Sequence, residues 1–338
     1  MTQLPTLQDV ATRAGVSIAT ASRVLSGTDN VTQRTQNRVR KAVAELNYVP
    51  NAKARALRKQ SSEVLGLVLP NFHNPFFLEL IEKTVIESKA HGYRMVITGG
   101  EDTFQESEQL ATTKAVDGLL MFGARTNETP NWKLPETFPV VFFDRAPESA
   151  STHDIAINHR EGARIVTQHL ISAGARTLLH ITGPNHLGVS SVRLNGFNDA
   201  VTEANNKCPD TVLSAETIEG DFSMESGAKA ARRYVDTHRG APAGVFAAND
   251  HMAIGAMNEL RNLGYEIPND VLVAGYDGIA STALVQPSLT TLALPIQDMA
   301  KQAVTLLINL IENGLDSTGA EPIELTGTLR IGGSTTQL

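Results

Sequence analysis

The chain of 338 residues contains a single cysteine, Cys208. That excludes an intramolecular disulfide framework and any zinc site built on several thiolates. A reducing compartment, and hence a cytoplasmic location, is the expectation. No run of 18 apolar residues occurs, so no membrane span is expected. The opening residues, Met1-Thr-Gln-Leu-Pro-Thr-Leu-Gln-Asp9, have neither the basic nor the apolar region of a secretory signal. There is no H-E-x-x-H and no G-x-S-x-G. Gly183-Pro-Asn-His-Leu-Gly188 has the glycine spacing of a phosphate loop, but Val189 stands where lysine is needed. The nine histidines show no metal-ligand spacing, and His153, His159 and His251 read as surface or capping residues. No catalytic residue, metal or cofactor is expected.

What is present is an uneven charge. The net charge of −7 argues against a polyanion partner. Residues 1–60, however, hold ten Lys/Arg against Asp9, Asp29 and Glu45, a local balance of +7, and the rest of the chain carries −14. A small basic head on a large acidic body is the distribution of a protein whose head meets nucleic acid.

Leu7, Val10, Ala11 and Ala14 follow the spacing of one helical face. Gly15 permits a tight turn and Val16 plugs the gap. Ser17 suits the N-cap of a second helix over 18–25, with Ala21, Val24 and Leu25 inward. Ser26-Gly-Thr-Asp-Asn30 reads as a loop. Thr32 suits the cap of a third helix striped by Val39, Ala42, Val43 and Leu46, which Tyr48-Val-Pro-Asn51 ends. Helix, glycine turn and second helix make a helix-turn-helix. Ile18, Ala19 and Thr20 keep the second helix slim where it would enter a major groove. Arg23, one turn on, reaches for guanine. Ser17, Ser22, Ser26 and Thr32 are short donors suited to phosphates. A plain three-helix bundle with a solvated basic face would show the same helices.

From Glu63 the texture changes to apolar strands alternating with helices. Strands are expected at 64–69, 94–98, 118–122, 140–144, 178–182, 244–248, 271–276 and 324–330. Helices are expected at 76–91, 160–173, 193–205, 223–238, 251–263 and 297–313. Continuous apolar strands mean parallel sheets covered on both faces. Such alternation over 270 residues divides more readily into two sheets than one.

Pro5-Thr-Leu-Gln-Asp-Val-Ala11, Ala14-Gly-Val-Ser17, Thr20-Ala-Ser-Arg-Val-Leu25 and Leu46-Asn-Tyr-Val-Pro-Asn51 resemble the head of the LacI–GalR family of repressors. The resemblance implies base reading by Ile18, Ala19 and Arg23, and phosphate contacts by Thr6, Ser17, Ser22, Thr32, Thr35 and Asn51. The stretch from Asn51 resembles the family's hinge helix. Alone it is too short to hold in water, and paired in a minor groove it would place Ala54, Arg55, Leu57 and Arg58 there, with Leu57 as the wedge that kinks the duplex.

The body resembles periplasmic sugar-binding proteins and the effector domain of the same repressors. The residues that carry this are Pro70-Asn-Phe-His-Asn-Pro-Phe-Phe77, Val116-Asp-Gly118, Phe142-Phe-Asp-Arg145, Arg193-Leu-Asn-Gly-Phe197, Gly220-Asp-Phe222, Ala248-Asn-Asp250 and Gly275-Tyr-Asp-Gly278. The fold implied is an all-α helix-turn-helix head (1–50), a hinge helix and linker (51–62), and a two-lobed α/β periplasmic-binding-protein-like core of parallel sheets (63–338), its lobes joined by three crossovers with ligand in the cleft. Sugars offer hydroxyl edges and flat C–H faces, which carboxylates, amides, arginine and aromatic rings recognise. The resemblance assigns Asn74, Phe76, Phe77, Asp144, Arg145, Arg193, Phe222, Asn249 and Asp277 to that task. Asn74-Pro-Phe-Phe with Asp144-Arg145 is similar to ribose-binding proteins. Leu294 is apolar where that group places a polar residue, and would suit the base of a nucleoside. Leu187 is apolar where purine-responsive relatives carry a basic side chain, which argues against a free purine base.

The expectation is a sequence-specific DNA-binding repressor, a homodimer on a near-palindromic operator, released by a sugar effector: ribose first, a ribonucleoside second. A transport component would need a signal and no basic head. An α/β enzyme with a DNA tether would need a catalytic constellation that the sequence does not display.

Overall fold

The computed structural model describes residues 5–26, 31–48, 61–100, 103–122, 133–135, 137–143, 153–207, 213–314 and 323–336. The chain divides between Ser62 and Glu63 into two compact units.

The first unit holds α1 (Leu7–Ala14), α2 (Ile18–Ser26) and α3 (Gln33–Glu45). Thr6 and Asp9 start α1 with a reciprocal capping box: Thr6 N–H donates to Asp9 Oδ2 at 2.8 Å, and Asp9 N–H to Thr6 Oγ1 at 3.3 Å. This satisfies two otherwise orphaned groups at the helix start. Gly15 ends α1 at φ +61°, a left-handed conformation that favours glycine. The Arg38 guanidinium of α3 closes the same corner by donating to the Ala14 and Gly15 carbonyls. Val10, Ala11, Ala14, Ala21, Val39, Ala42 and Tyr48 form the core. Small residues at 11, 14, 21 and 42 let three short helices pack closely without long side chains. Ser17 caps α2 as its sequence predicts, accepting from Thr20 N–H at 3.1 Å. Thr32 stands at the N-cap of α3 but makes no side-chain cap bond, because its hydroxyl pairs with that of Thr35 at 3.0 Å.

The second unit contains two sheets. One has strands β1 (Val64–Leu69), β2 (Arg94–Gly99), β3 (Gly118–Phe122), β4 (Val140–Phe143), β5 (His153–Ile157) and β11 (Ile323–Leu325), in the order β2-β1-β3-β4-β5-β11, all parallel. The other has β6 (Thr177–Thr182), β7 (Ser214–Glu219), β8 (Gly244–Ala247), β9 (Leu272–Asp277), β10 (Thr290–Ala293) and β12 (Thr328–Arg330), in the order β7-β6-β8-β9-β10-β12, with β12 antiparallel. Their helices are α4 (Pro75–Ala90) and α5 (Thr103–Thr112) in the first lobe, α6 (His159–Ser172), α7 (Gly188–Lys207), α8 (Met224–His238) and α9 (Asp250–Asn262) in the second, and α10 (Ile296–Asn313) packed back on α4, β3 and β4. The chain crosses between sheets after β5, after β10 and between β11 and β12, three crossings in all.

Three strands escape the apolar-run criterion. β5 (HDIAI) begins with two polar residues, β7 (SAETIE) is a half-exposed edge strand, and β10 (TTLA) buries two threonines. Buried Thr290 satisfies its hydroxyl on Gly332 and Thr335, and Thr291 on Asp250. The strand expected over 324–330 is two short strands, one in each sheet, since this segment is a crossover. The polar helix α5 also lies outside the sequence expectation.

Candidate functional site

Two faces concentrate the residues singled out from sequence. On the head, residues 18, 19, 22 and 23 are neighbours on α2, with Ala19 and Arg23 opposite Ala21 of the core and Ile18 one turn before it. Ile18, Ala19 and Arg23 are exposed and Ser22 is half-buried. The hydroxyls of Ser17 and Thr20 bond to each other at 2.8 Å. Thr6 is exposed but its hydroxyl also donates to Asp9 Oδ2 at 2.7 Å. Asn51, Ala54, Arg55, Leu57 and Arg58 lie outside the described residues.

The second face is a cleft of about 1000 Å³ between the two sheets. Both sheets run in the order that reverses at their first strand, and the cleft walls follow the carboxyl ends of the strands: Pro70 after β1, Phe122 ending β3, His159 after β5, Asn249 after β8, Asp277 ending β9 and Leu294 after β10. That is where doubly wound folds bind ligands.

Asp277 is its polar centre. It is buried, with φ +109°, a conformation non-glycine residues seldom adopt. Phe222, also in the cleft, has φ +69°. Backbone strain at such positions persists where the surroundings impose it, a pattern typical of binding sites. Asp277 accepts from Arg193 Nη2 at 3.5 Å and from Asn74 Nδ2 at 3.4 Å, so both lobes reach it. Arg193, buried on the second turn of α7, also donates to the Ala248 carbonyl, and its guanidinium lies 3.9 Å from the Tyr276 ring centre. Behind it Asp250 accepts from Gly278 N–H at 2.7 Å, Ile279 N–H at 2.9 Å and Thr291 Oγ1 at 2.5 Å. Burial, and then the Asp277 carboxylate, push Asp250 above the usual carboxylate range, and its three accepted hydrogen bonds pin the loop after β9.

Asn74 caps α4, with Oδ1 accepting from Phe76 N–H at 3.0 Å. Phe76 and Phe77 are buried, and each meets Phe122 edge-on at 5.8 and 4.9 Å between centres. They are core and cleft wall at once. Asn249 is fully buried: its Oδ1 accepts from Met252 N–H at 2.9 Å and its Nδ2 donates to the Phe222 carbonyl at 3.0 Å. It shapes the wall by holding Phe222 to the start of α9. Asp144 and Arg145 lie outside the described residues.

His159 is a correction. It is buried, it lines the cleft, and its Nδ1 meets Tyr276 Oη at 2.9 Å, where the sequence reading was a surface or capping residue. It follows β5, the strand that the apolar pattern hid. His251 does stand in the first turn of α9, but it too lines the cleft, and burial lowers its pKa. His73 and His186 join them on the walls. Both lie inside stretches quoted for other reasons, Pro70–Phe77 and Gly183–Gly188, which was the available signal. Leu187 and Leu294 line the cleft as well. Among the described residues no cluster of His, Cys, Asp or Glu is arranged to hold a metal.

The family model of bacterial regulatory proteins, lacI family, matches residues 6–51, and that of the periplasmic binding protein-like domain matches residues 167–335. The chain is 33% identical over 313 residues to the ribose operon repressor of Halalkalibacterium halodurans, covering 91% of each. It is 30% identical over 340 residues to the transcriptional repressor CytR of Escherichia coli, covering 98% of this chain and 97% of that one. The solved Lac repressor dimer bound to operator and the anti-inducer ONPF is similar in fold, with a TM-score of 0.85 at 24% identity over 99% of this chain and 100% of that one.

Proposed function

The chain belongs to the LacI family of bacterial regulatory proteins, and we propose that it is a homodimeric repressor released from a near-palindromic operator by a neutral sugar bound in its cleft. Its relatives are transcriptional repressors, and this chain acts by binding rather than by turnover.

The observation that carries the effector reading is the meeting of Asn74 and Arg193 at Asp277. One carboxylate with an amide from one lobe and a guanidinium from the other suits adjacent sugar hydroxyls, which both donate and accept. Arg193 and Asp277 offset each other's charge, so the favoured ligand is uncharged. The relative named for a ribose operon supports ribose. A ribonucleoside is the second reading, favoured by Leu187, Leu294 and Phe222 on the same walls.

Ligand that binds one lobe arrangement better than the other shifts the lobes toward it. Asn74–Asp277 and the Ala280 N–H bond to Glu79 Oε1 at 2.7 Å are the contacts that such a shift remakes. Coupled to the segment 51–62, the shift would separate the paired hinge helices, in which Ala54, Arg55 and Arg58 sit in the minor groove and Leu57 wedges a base step. The second copy would cover the outer face of α4, where Leu78 and Ile86 are exposed, and the edge strand β2, where Val96 and Ile97 are exposed.

Fluorescence anisotropy of the full chain on a selected operator, with and without ribose, other pentoses, hexoses, ribonucleosides and free bases, tests this. Release by ribose or a nucleoside supports the reading. Undiminished DNA binding across the whole panel removes it. A parallel thermal-shift series reports binding directly, since ligand at 100 times its Kd adds about 2.7 kcal/mol to the folded state.

A further inference from the structure

Ile18 is the one large apolar side chain that is exposed among the described residues of the head, at 42%. It is the first residue of α2, at the exposed start of the helix beside exposed Ala19. The hydroxyls that flank this pair are engaged with each other and with the helix backbone, Ser17 Oγ lying 2.8 Å from Thr20 Oγ1 and 3.1 Å from Thr20 N. The leading edge of the helix therefore offers a base pair an apolar surface and no side-chain donor at positions 18 and 19.

We infer that Ile18 and Ala19 form a patch that selects thymine 5-methyl groups, so that each half-site carries an A·T pair close to the guanine read by Arg23. Of the groups on the major-groove edges of the four bases, the thymine methyl is the apolar one. An amino group or ring nitrogen placed against Ile18 would lose water and gain no partner, a cost that adds to the missing methyl contact. The patch thus discriminates in both directions. Arg23 follows Ala19 by four residues, about 6 Å along the helix axis. At about 3.4 Å per base, that places the A·T pair about two pairs from the guanine. The inference rests on α2 being the helix that enters the groove.

The test begins by selecting duplexes for the full-length chain from a randomised pool. Thymine is expected within about two pairs of the guanine in each half-site, and a selected consensus without it overturns the inference. Each such thymine in the selected duplex is then replaced by uracil, which differs only by the methyl. The wild-type chain should bind the uracil duplex about fourfold more weakly per methyl, the weight of one buried carbon. Ile18→Ser should bring the thymine-to-uracil ratio close to one, and Ile18→Val should keep most of it. Equal wild-type affinity for the two duplexes refutes methyl reading, as does an unchanged ratio in Ile18→Ser. Should Ile18→Ser select the same consensus as the wild type, base reading at this position fails as well. A changed consensus with a wild-type ratio of one removes only the methyl.

Discussion

Asn74 and Asp277, on different lobes and 203 positions apart in the chain, meet at 3.4 Å, the amide donating to the carboxylate. The same asparagine caps α4, and the same aspartate holds Arg193. One contact therefore ties a helix start in the first lobe to a strand end in the second, and both move if the lobes do.

Asp277→Asn keeps the size of the side chain and leaves Arg193 buried without its carboxylate. Breaking a buried pair costs about 3 kcal/mol, so the melting temperature should fall by several degrees. Operator affinity should persist while release by effector disappears. An anisotropy titration in which Asp277→Asn still lets go of DNA on adding the wild-type effector would contradict the role given to this residue.

Arg23→Ala should weaken binding to the selected operator by at least about tenfold. The slope of log affinity against log salt should change by no more than about one, since one charge is lost. Equal weakening on operator and on random DNA would instead make Arg23 a phosphate contact.

Gly196→Ala should lower stability by about 1–3 kcal/mol through overpacking. Gly196 faces α6 at the crossing with α7, and an added Cβ would fall on the Arg160 carbonyl and touch Ala163 Cβ. The Arg160–Asp199 ion pair, at 2.6 Å, spans the same two helices. Pushing α7 away displaces Arg193 one turn earlier, so effector affinity should drop with stability. A calorimetric trace and binding isotherm both matching wild type would show that the helices have room to move apart.

His180 is buried between Phe197 and Phe246, with ring centres 4.9 and 4.5 Å away. Its Nδ1 meets the Phe246 carbonyl at 2.9 Å, and its Nε2 has no hydrogen-bond partner among the described residues. Burial pushes its pKa down to about 4, with Arg193 adding to the effect. Between that value and the free-histidine value of about 6.5, the unfolded chain binds a proton that the folded one does not. Stability contributed by the neutral imidazole is present above about pH 6.5 and lost as pH falls through this window, by about 3 kcal/mol in full. His169 and His251, also lowered by burial, act in the same direction. His180→Phe should flatten the acid side of the stability curve, and a slope identical to wild type in urea titrations at several pH values would rule out this account.

The head was legible because its physics is local. Helix spacing, the glycine at 15 and the cap at 17 act within a few residues of themselves, whereas the capping box at Thr6 was not singled out. In the body the apolar strands were legible, and so was the division into two sheets. β5 was not, because its apolar character begins only at Ile155, and with it went the place of His159 in the cleft. Asn249 was singled out by its motif, yet both ends of its amide serve the protein's own backbone, which no motif reveals.

Sequence alone determined the modules and their charge: a basic three-helix head, an acidic α/β body, and which strands are apolar enough to be covered on both faces. Only the tertiary structure decided which polar residues share an environment. Asn74 at the start of α4, Arg193 on α7 and the Tyr276-Asp277 pair ending β9 come from three separate elements, and nothing in their spacing along the chain encodes their distances. Parallel sheets bring every strand's carboxyl end to one edge, so the crossovers between the two sheets determine which of those ends face one another across the cleft.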